Sequence, residues 1–392
     1  MNSQNSKEST VYADLGASSS KGDVHKALKR SGSSPYFADL QEDVCGDENY
    51  FSLLHADGAG TKSIVAYICF RETGDPSWFK SLAQDSLVMN LDDIICVNAF
   101  ESLALSNTIG RNKFLIPDGP IQALIDGYKQ QVEQLNQLGI TIKMSGGETA
   151  DLGDLVRTIV IDSTLFARVK KAHAITTDNI TAGDIIVGLS NTGQATYETE
   201  PNSGLGSNGF TLARHALIAN KYLDKYAEIA DPSLGADKAY QGQWDLFDTP
   251  QPLEANVAKT LLSPTRTYAP IIKRVNSELG QHVHGIIHCT GGGQTKITGF
   301  GKAKHYVKNS LFNPPPVFAL IQSTLNVPWR DMYAVFNMGH RMEIVCPAEH
   351  LKVICDIAKE FNIDAQQIGY VEGGGAHNSL LIETAHGKFE YQ

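Results

Sequence analysis

The run Tyr50 to Leu54 is largely apolar and reads as a strand, and it ends in the tight glycine turn His55-Ala-Asp-Gly-Ala-Gly-Thr-Lys62. A strand needs neighbours for its backbone N–H and C=O groups, so the chain has to build a sheet around this stretch. Gly58 and Gly60 let the main chain come close to a ligand, because no Cβ stands in the way. Asp57, Thr61 and Lys62 add a carboxylate, a hydroxyl and an ammonium to the same turn. That set suits a metal-bound polyphosphate: carboxylate oxygens hold Mg2+, while Lys and backbone N–H groups meet phosphate oxygens. A hairpin with incidental charges is the competing reading of so short a motif, and the rest of the chain has to separate the two.

The same chemistry recurs. Ser77 can cap a helix running to about Met89, after which Asp92 and Asp93 stand side by side ahead of the apolar run Ile94 to Val97. Adjacent carboxylates repel unless a cation or a lysine lies between them. Leu115 to Gly139 carries apolar residues at helical spacing, with Asp118 as N-cap, and feeds a strand at Ile140 to Met144. That strand ends at Ser145-Gly-Gly-Glu-Thr-Ala-Asp151, where Gly147 and Glu148 again pair a glycine with a carboxylate. Ser63 to Phe70 reads as a nearly continuous apolar strand, Arg157 to Lys170 as a long alternating one, and Asp23 to Arg30 as a short basic helix.

Polar residues at 171–184 divide the chain near 175, giving an N-terminal domain 1–175 and a C-terminal domain 176–392. The second half mixes strands with helices in α+β fashion. Strands are expected at Asp184 to Ser190, Gln281 to His288, Ile368 to Val371 and Ser379 to Glu383; Val335 to His340 reads as a strand and turn. Helices are expected at Phe210 to Ala219, from Ser263 to about Leu279, at Val317 to Leu325 and at His350 to Phe361. Ser207 is placed to cap the helix at Phe210, and a helix N-terminus attracts phosphate. Gly204-x-Gly206-x-x-Gly209 matches the dinucleotide fingerprint in spacing alone, since no strand runs into it. His282, His284 and His288 share a strand face. His282 and His288 would lie about 20 Å apart at ~3.3 Å per residue, too far to ligate one ion. His288 abuts Cys289-Thr-Gly-Gly-Gly293, a turn able to approach a ligand.

Charge narrows the partners. With 33 basic and 43 acidic residues the net charge is −10, and a chain that neutralises nucleic-acid phosphates needs a basic face that is not visible here. No apolar run approaches the ~18 residues that span a bilayer, and Met1 to Thr10 does not read as a signal peptide. The six cysteines, none spaced C-x-x-C, read as reduced thiols. The expectation is a cytoplasmic protein with a small-molecule ligand and neither nucleic-acid nor membrane partners.

Taken in order, Asp57-Gly-Ala-Gly-Thr-Lys62, Gly146-Gly-Glu-Thr-Ala150, Ser207-Asn-Gly209, Ser263-Pro-Thr-Arg-Thr-Tyr268, His288-Cys-Thr-Gly-Gly-Gly293 and Phe336-Asn-Met-Gly339 resemble the motifs of the aminoimidazole ribonucleotide synthetases, also called phosphoribosylformylglycinamidine cyclo-ligases. Tyr12 to Gly16 also looks like that family's N-terminal segment. The resemblance implies ATP-dependent ring closure of formylglycinamidine ribonucleotide in purine biosynthesis, by a homodimer. It implies a PurM-like α+β fold: an N-terminal β-rich domain that joins its mate's strands in a dimeric barrel with helices outside, and a C-terminal α/β sandwich domain. On this reading Asp57, Asp92, Asp93 and Glu148 hold Mg2+. ATP meets Asp57, Gly58, Gly60, Thr61, Lys62, Asp93, Gly147 and Glu148. Substrate meets Ser207, Asn208, Gly209, Arg266 and Gly292, with a surface salt bridge as the alternative for Arg266. His288 and Lys62 are the catalytic candidates.

The chain departs from the family pattern in places. The glycine-rich segment before the first motif is replaced by Ser31 to Asn49. The usual Asn-Asp pair is Asp92-Asp93, the His before Ser-Asn-Gly is Gly206, and the loop before Ser207 is longer. The same architecture serves selenophosphate synthetase, thiamin-phosphate kinase and a hydrogenase maturation factor, so another ATP-using enzyme, or a non-catalytic nucleotide-binding scaffold, is the alternative. Selenophosphate synthetase normally uses a reactive Cys or selenocysteine ahead of the first motif. Cys45 stands there among Glu42, Asp43 and Asp47, whose charges disfavour a thiolate.

Overall fold

A computed structural model describes residues 10–17, 35–235 and 237–392; the helix expected at Asp23 to Arg30 lies outside the described residues. In the N-terminal half, β1 (Gln41–Glu42), β2 (Tyr50–Gly58), β3 (Glu101–Arg111), β4 (Ile142–Asp151) and β5 (Ile159–Lys170) form a sheet in the order β1-β2-β5-β3-β4. Only the β3–β4 pair is parallel. β4 does not stop at Met144 as the glycines suggest, but runs straight through Gly146, Gly147 and Glu148.

Ser63 to Phe70 is not a strand. It lies within helix α1 (Lys62–Thr73), whose residues Val65 to Cys69 are all fully buried. A helix enclosed on every side loses its polar stripe, and its sequence then looks like a buried strand. Gly74, at φ 74°, ends it by donating its N–H to the Phe70 carbonyl at 2.7 Å. Asp75 rather than Ser77 caps the following turn, which leads into α2 (Lys80–Ile94). α3 (Asp118–Gln137) fits the periodicity, burying Leu124, Tyr128, Val132 and Leu135; Asp118 is its first residue and Pro117 its cap. α2 and α3 pack on each other closely enough that a Cβ on Gly127 would stand 2.3 Å from the Lys80 carbonyl oxygen.

These helices cover one face of the sheet, burying Leu53, Leu105, Ile109 and Leu165. The other face lies open, with Leu54 70% and Val160 43% exposed. The barrel expected from the resemblance is therefore not closed by this chain alone: the sheet ends at free edges on β1 and β4 among the described residues.

The C-terminal half carries β6 (Ile185–Ser190), the short pair β7 (Thr192–Gly193) and β8 (Asn202–Ser203), then β9 (Gly285–His288), β10 (Lys304–Lys308), β11 (His340–Cys346), β12 (Ala365–Gly373), β13 (Ser379–Thr384) and β14 (Gly387–Tyr391). Seven of them form one mixed sheet, β14-β13-β10-β12-β6-β11-β9, in which only β10–β13 is parallel. Helices α4 (Phe210–Leu217), α5 (Ala269–Leu279) and α6 (Leu351–Glu360) belong to this half. Three expectations need correction. The segment 263–268 is irregular rather than helical, His282 lies in a tight turn outside β9, and Val335 closes a helix, Trp329–Val335. β11 was not expected at all. Every one of its residues is buried, although His340, Arg341 and Glu343 give it the look of a surface segment. Among the described residues no helix is long and apolar enough to cross a membrane.

Candidate active site

The two halves meet where α2 ends, and the motif residues collect along that junction. β2 alternates, so His55 and Asp57 point to the α2 side with Leu53, while Leu54 and Gly58 face the open side. Asp57 pairs in register with Ser163, whose hydroxyl is buried against Ser86 of α2 at 2.7 Å. The Asp57 carboxylate takes the Gly58 N–H at 2.7 Å. Asn90 donates its amide nitrogen to the carbonyls of Asp57, Ser86 and Ser163 at 3.1, 2.9 and 3.1 Å.

That orientation leaves Asn90 Oδ1 facing His55 Nδ1 at 3.0 Å. His55 Nε2 meets Asp93 Oδ2 at 3.2 Å. Both ring nitrogens face acceptors, so both carry protons and His55 is an imidazolium. Burial alone would lower its pKa, but the Asp93 hydrogen bond and charge raise it to about 9. The other Asp93 oxygen takes Nδ1–H of His288 at 2.6 Å. Burial pushes His288 down to about 4 against the pull of Asp93. Its Nε2 is buried without a partner. The result is a neutral His288 whose remaining lone pair is aimed by Asp93, which is itself held well below the usual carboxylate range by the two imidazoles.

A second hub joins the first motif to the Ser207 turn. The Lys62 ammonium, fully buried, donates to Asp85 Oδ1 at 2.8 Å and to the Ser263 carbonyl at 2.6 Å. The same Asp85 oxygen receives Ser207 Oγ at 3.1 Å, the Thr265 N–H at 2.9 Å and Thr265 Oγ1 at 2.5 Å. Burial lowers the Lys62 pKa against the pull of Asp85. Lys62 thus neutralises Asp85 rather than projecting from the turn. Thr61 Oγ1 lies 3.1 Å from Thr211 Oγ1 at the start of α4. Gly209 caps α4 with φ 68°, and a Cβ there would stand 2.4 Å from Phe336; Ser207 does not cap it.

Asp92 and Arg266 are also committed inside the protein. Asp92 takes Thr267 Oγ1 at 2.6 Å, the Tyr268 N–H at 3.2 Å and Arg341 Nη2 at 3.3 Å, and burial raises its carboxyl to about 7. Arg266 is no surface salt bridge. It clamps Glu198 through Nε at 2.9 Å and Nη2 at 2.5 Å, and spends its other donors on the carbonyls of Ser190, Thr192 and Gly193. All five N–H groups are used.

Glu148 stands apart. Across the sheet it lies in one row with Thr108, Asp162 and Gly58, on the open face and about 14 Å from β2 at ~4.8 Å per strand. Asp57 and Glu148 therefore cannot ligate one ion within a chain. Asp92 and Asp93 do not fit Mg2+ either, since their oxygens are already taken. Asp57 at the junction, and Glu148 with Asp162 on the open face, retain the oxygen chemistry a hard cation needs. Cys289, His340 and Glu343 approach one another as metal ligands would. However, the Lys308 ammonium sits on the same Glu343 oxygen that meets His340 at 2.9 Å and Cys289 at 3.2 Å, so the cation there is a lysine. Gly291, Gly292 and Gly293 all take positive φ, which places this turn against Phe336.

Comparison with known proteins gives the family. Residues 43–169 match the AIR synthase related protein N-terminal domain and residues 181–381 its C-terminal domain. The chain belongs to the AIR synthase family. It is 31% identical to phosphoribosylformylglycinamidine cyclo-ligase of Methanocaldococcus jannaschii over 371 residues, covering 92% of each chain. It is 31% identical to the protein of that name from Pyrococcus furiosus over 348 residues, covering 87% of this chain and 84% of the relative. In fold it is similar to thiamine-monophosphate kinase from Stenotrophomonas maltophilia, at 14% identity and a TM-score of 0.51 over 92% of this chain and 94% of that one. It also matches phosphoribosylformylglycinamidine synthase II from Thermotoga maritima, at 11% identity and a TM-score of 0.53 over 98% of this chain, spanning half the length of that larger protein.

Within this family frame, sequence reasoning missed His55, Asp85, Glu198 and Arg341. His55 and Asp85 sit inside or beside motif elements, and only the fold reveals that they bind motif residues. Glu198 and Arg341 lie 68 and 75 positions from Arg266 in the chain.

Proposed function

We propose that this chain closes the imidazole ring of purines, converting formylglycinamidine ribonucleotide and ATP to aminoimidazole ribonucleotide, ADP and phosphate. The carrying observation, beside family membership, is His288: a neutral imidazole with its free nitrogen buried at the junction and its other nitrogen fixed by Asp93. An amide oxygen is a poor leaving group. Transfer of the γ-phosphoryl group onto it gives an iminophosphate; the amidine nitrogen attacks that carbon, and the phosphate departs with the C–O bond electrons. The attacking nitrogen must shed a proton, and the His288 Nε2 lone pair is the acceptor built for it. His55 balances the Asp93 charge, so Asp93 can orient His288 without taking its proton. Asp57, and Glu148 with Asp162, would hold Mg2+, whose contribution is to neutralise phosphate charge.

The Ser207-Asn208-Gly209 turn offers backbone N–H groups at the start of α4 for a phosphate. Lys62 serves this turn indirectly, by holding Asp85, to which Ser207 is bonded. We further propose that the open sheet face meets a second copy of the chain, which would bring the acids of that face under cover. The direct test is incubation with the amidine, ATP and Mg2+, followed by assay of aminoimidazole. Asp57→Ala should abolish amidine-dependent ADP release with an unchanged circular dichroism spectrum; wild-type turnover in that variant would remove Asp57 from the site.

A further inference from the structure

We propose that Arg341 is an anion-binding residue of this site, receiving a phosphate group beside the Ser207–Gly209 turn. The inference rests on the ring-closing reading and adds to it the group that recognises a phosphate of the ribonucleotide or of the nucleotide.

Two arginines lie at the junction, and they are used differently. Arg266 spends every donor on protein acceptors. Arg341 is 2% exposed, yet it engages protein through Nη2 alone, on Asp92 at 3.3 Å and on the Arg266 carbonyl. Its Nε and Nη1 are buried without a partner. A buried guanidinium that leaves donors unpaired is poised for an acceptor from outside the chain. The two donors point to different edges of the guanidinium plane, so each can donate singly to an anionic oxygen, and the charge strengthens both bonds.

The position of the guanidinium supplies the second observation. Nη1 would lie 3.4 Å from a Cβ on Gly206, so only glycine backbone separates the guanidinium from the turn that opens α4. Gly206 is also where the family's usual histidine is absent, and the arginine from β11 fills the space beside it. The turn presents the α4 N-terminus, which favours a negative group. Arg341 therefore adds a full positive charge to a place where backbone N–H groups already favour phosphate.

The test compares wild type with Arg341→Met, which keeps the length and bulk of the stem, and Arg341→Gln, which keeps a polar amide but loses the charge and the Nε and Nη1 donors. Inorganic phosphate should raise the melting temperature of the wild type, and this shift should vanish in Arg341→Met. In steady-state assays Arg341→Met should raise KM by about 10–100-fold for one substrate. A rise for the ribonucleotide assigns Arg341 to its 5′-phosphate; a rise for ATP assigns it to the nucleotide. Unchanged KM for both, with an unchanged phosphate shift in folded protein, overturns the proposal. Should Arg341→Met fail to fold, Arg341→Gln decides by the same measurements, with wild-type values overturning the proposal. The ring-closing reading fails separately, if wild type forms no aminoimidazole; the phosphate shift and its loss remain readable in that case.

Discussion

His55 makes the pH dependence of this protein predictable. Its folded pKa of about 9 lies above the ordinary 6.5. A histidine raised in this way stabilises fully below its unfolded value, and the contribution is lost as pH rises from about 6.5 through 9. The difference is on the order of 3 kcal/mol. Urea unfolding of His55→Gln should therefore be flatter than wild type across that range, and identical slopes would show that His55 is not paired with Asp93 in solution. Arg266→Met should cost more, about 3–5 kcal/mol, because it leaves Glu198 buried and unpaired; the loss is read from the shift in urea midpoint. At this scale the sequence was half legible. Charged or polar residues beside glycines announce chemistry, and His288 was singled out by the glycine turn that follows it. What residue type cannot disclose is whether a carboxylate is already satisfied. Asp92 and Asp93 look like metal ligands in a string of letters, but partners distant in the chain, Thr267 and His288 among them, have taken their oxygens.

Elements were most legible where one face meets water. α3 and β5 keep their periodic stripes, and both are seen in the sequence. α1 and β11 are enclosed on all sides, and periodicity fails there: one was mistaken for a strand and the other was missed. The turn before α4 shows how tightly these enclosed elements fit. Gly209 has a positive φ, and any side chain there would strike the Phe336 ring. Gly209→Ala should cost about 2–4 kcal/mol by urea unfolding. It should also weaken binding of the phosphate-bearing substrate, since the turn must shift to admit the methyl group. A variant with wild-type stability would mean that the turn already moves freely in solution.

For the whole molecule, the α+β class followed from the mixture of patterns, and the family from the order of its motifs. The open face was not legible, because exposure of Leu54 and Val160 depends on which side α2 and α3 cover. If a second copy packs there, Leu54→Arg should convert a dimer to monomers in sedimentation velocity. An unchanged sedimentation coefficient would place the contact elsewhere. The junction has a consequence for inheritance. One oxygen of Asp85 gathers Lys62 from the first half and Ser207 and Thr265 from the second. A hybrid gene spliced between the halves of two distant relatives would join a hub from one parent to ligands from the other. Such recombinants should survive only when these four positions travel together, which makes the seam between the halves a poor place for evolution to cut.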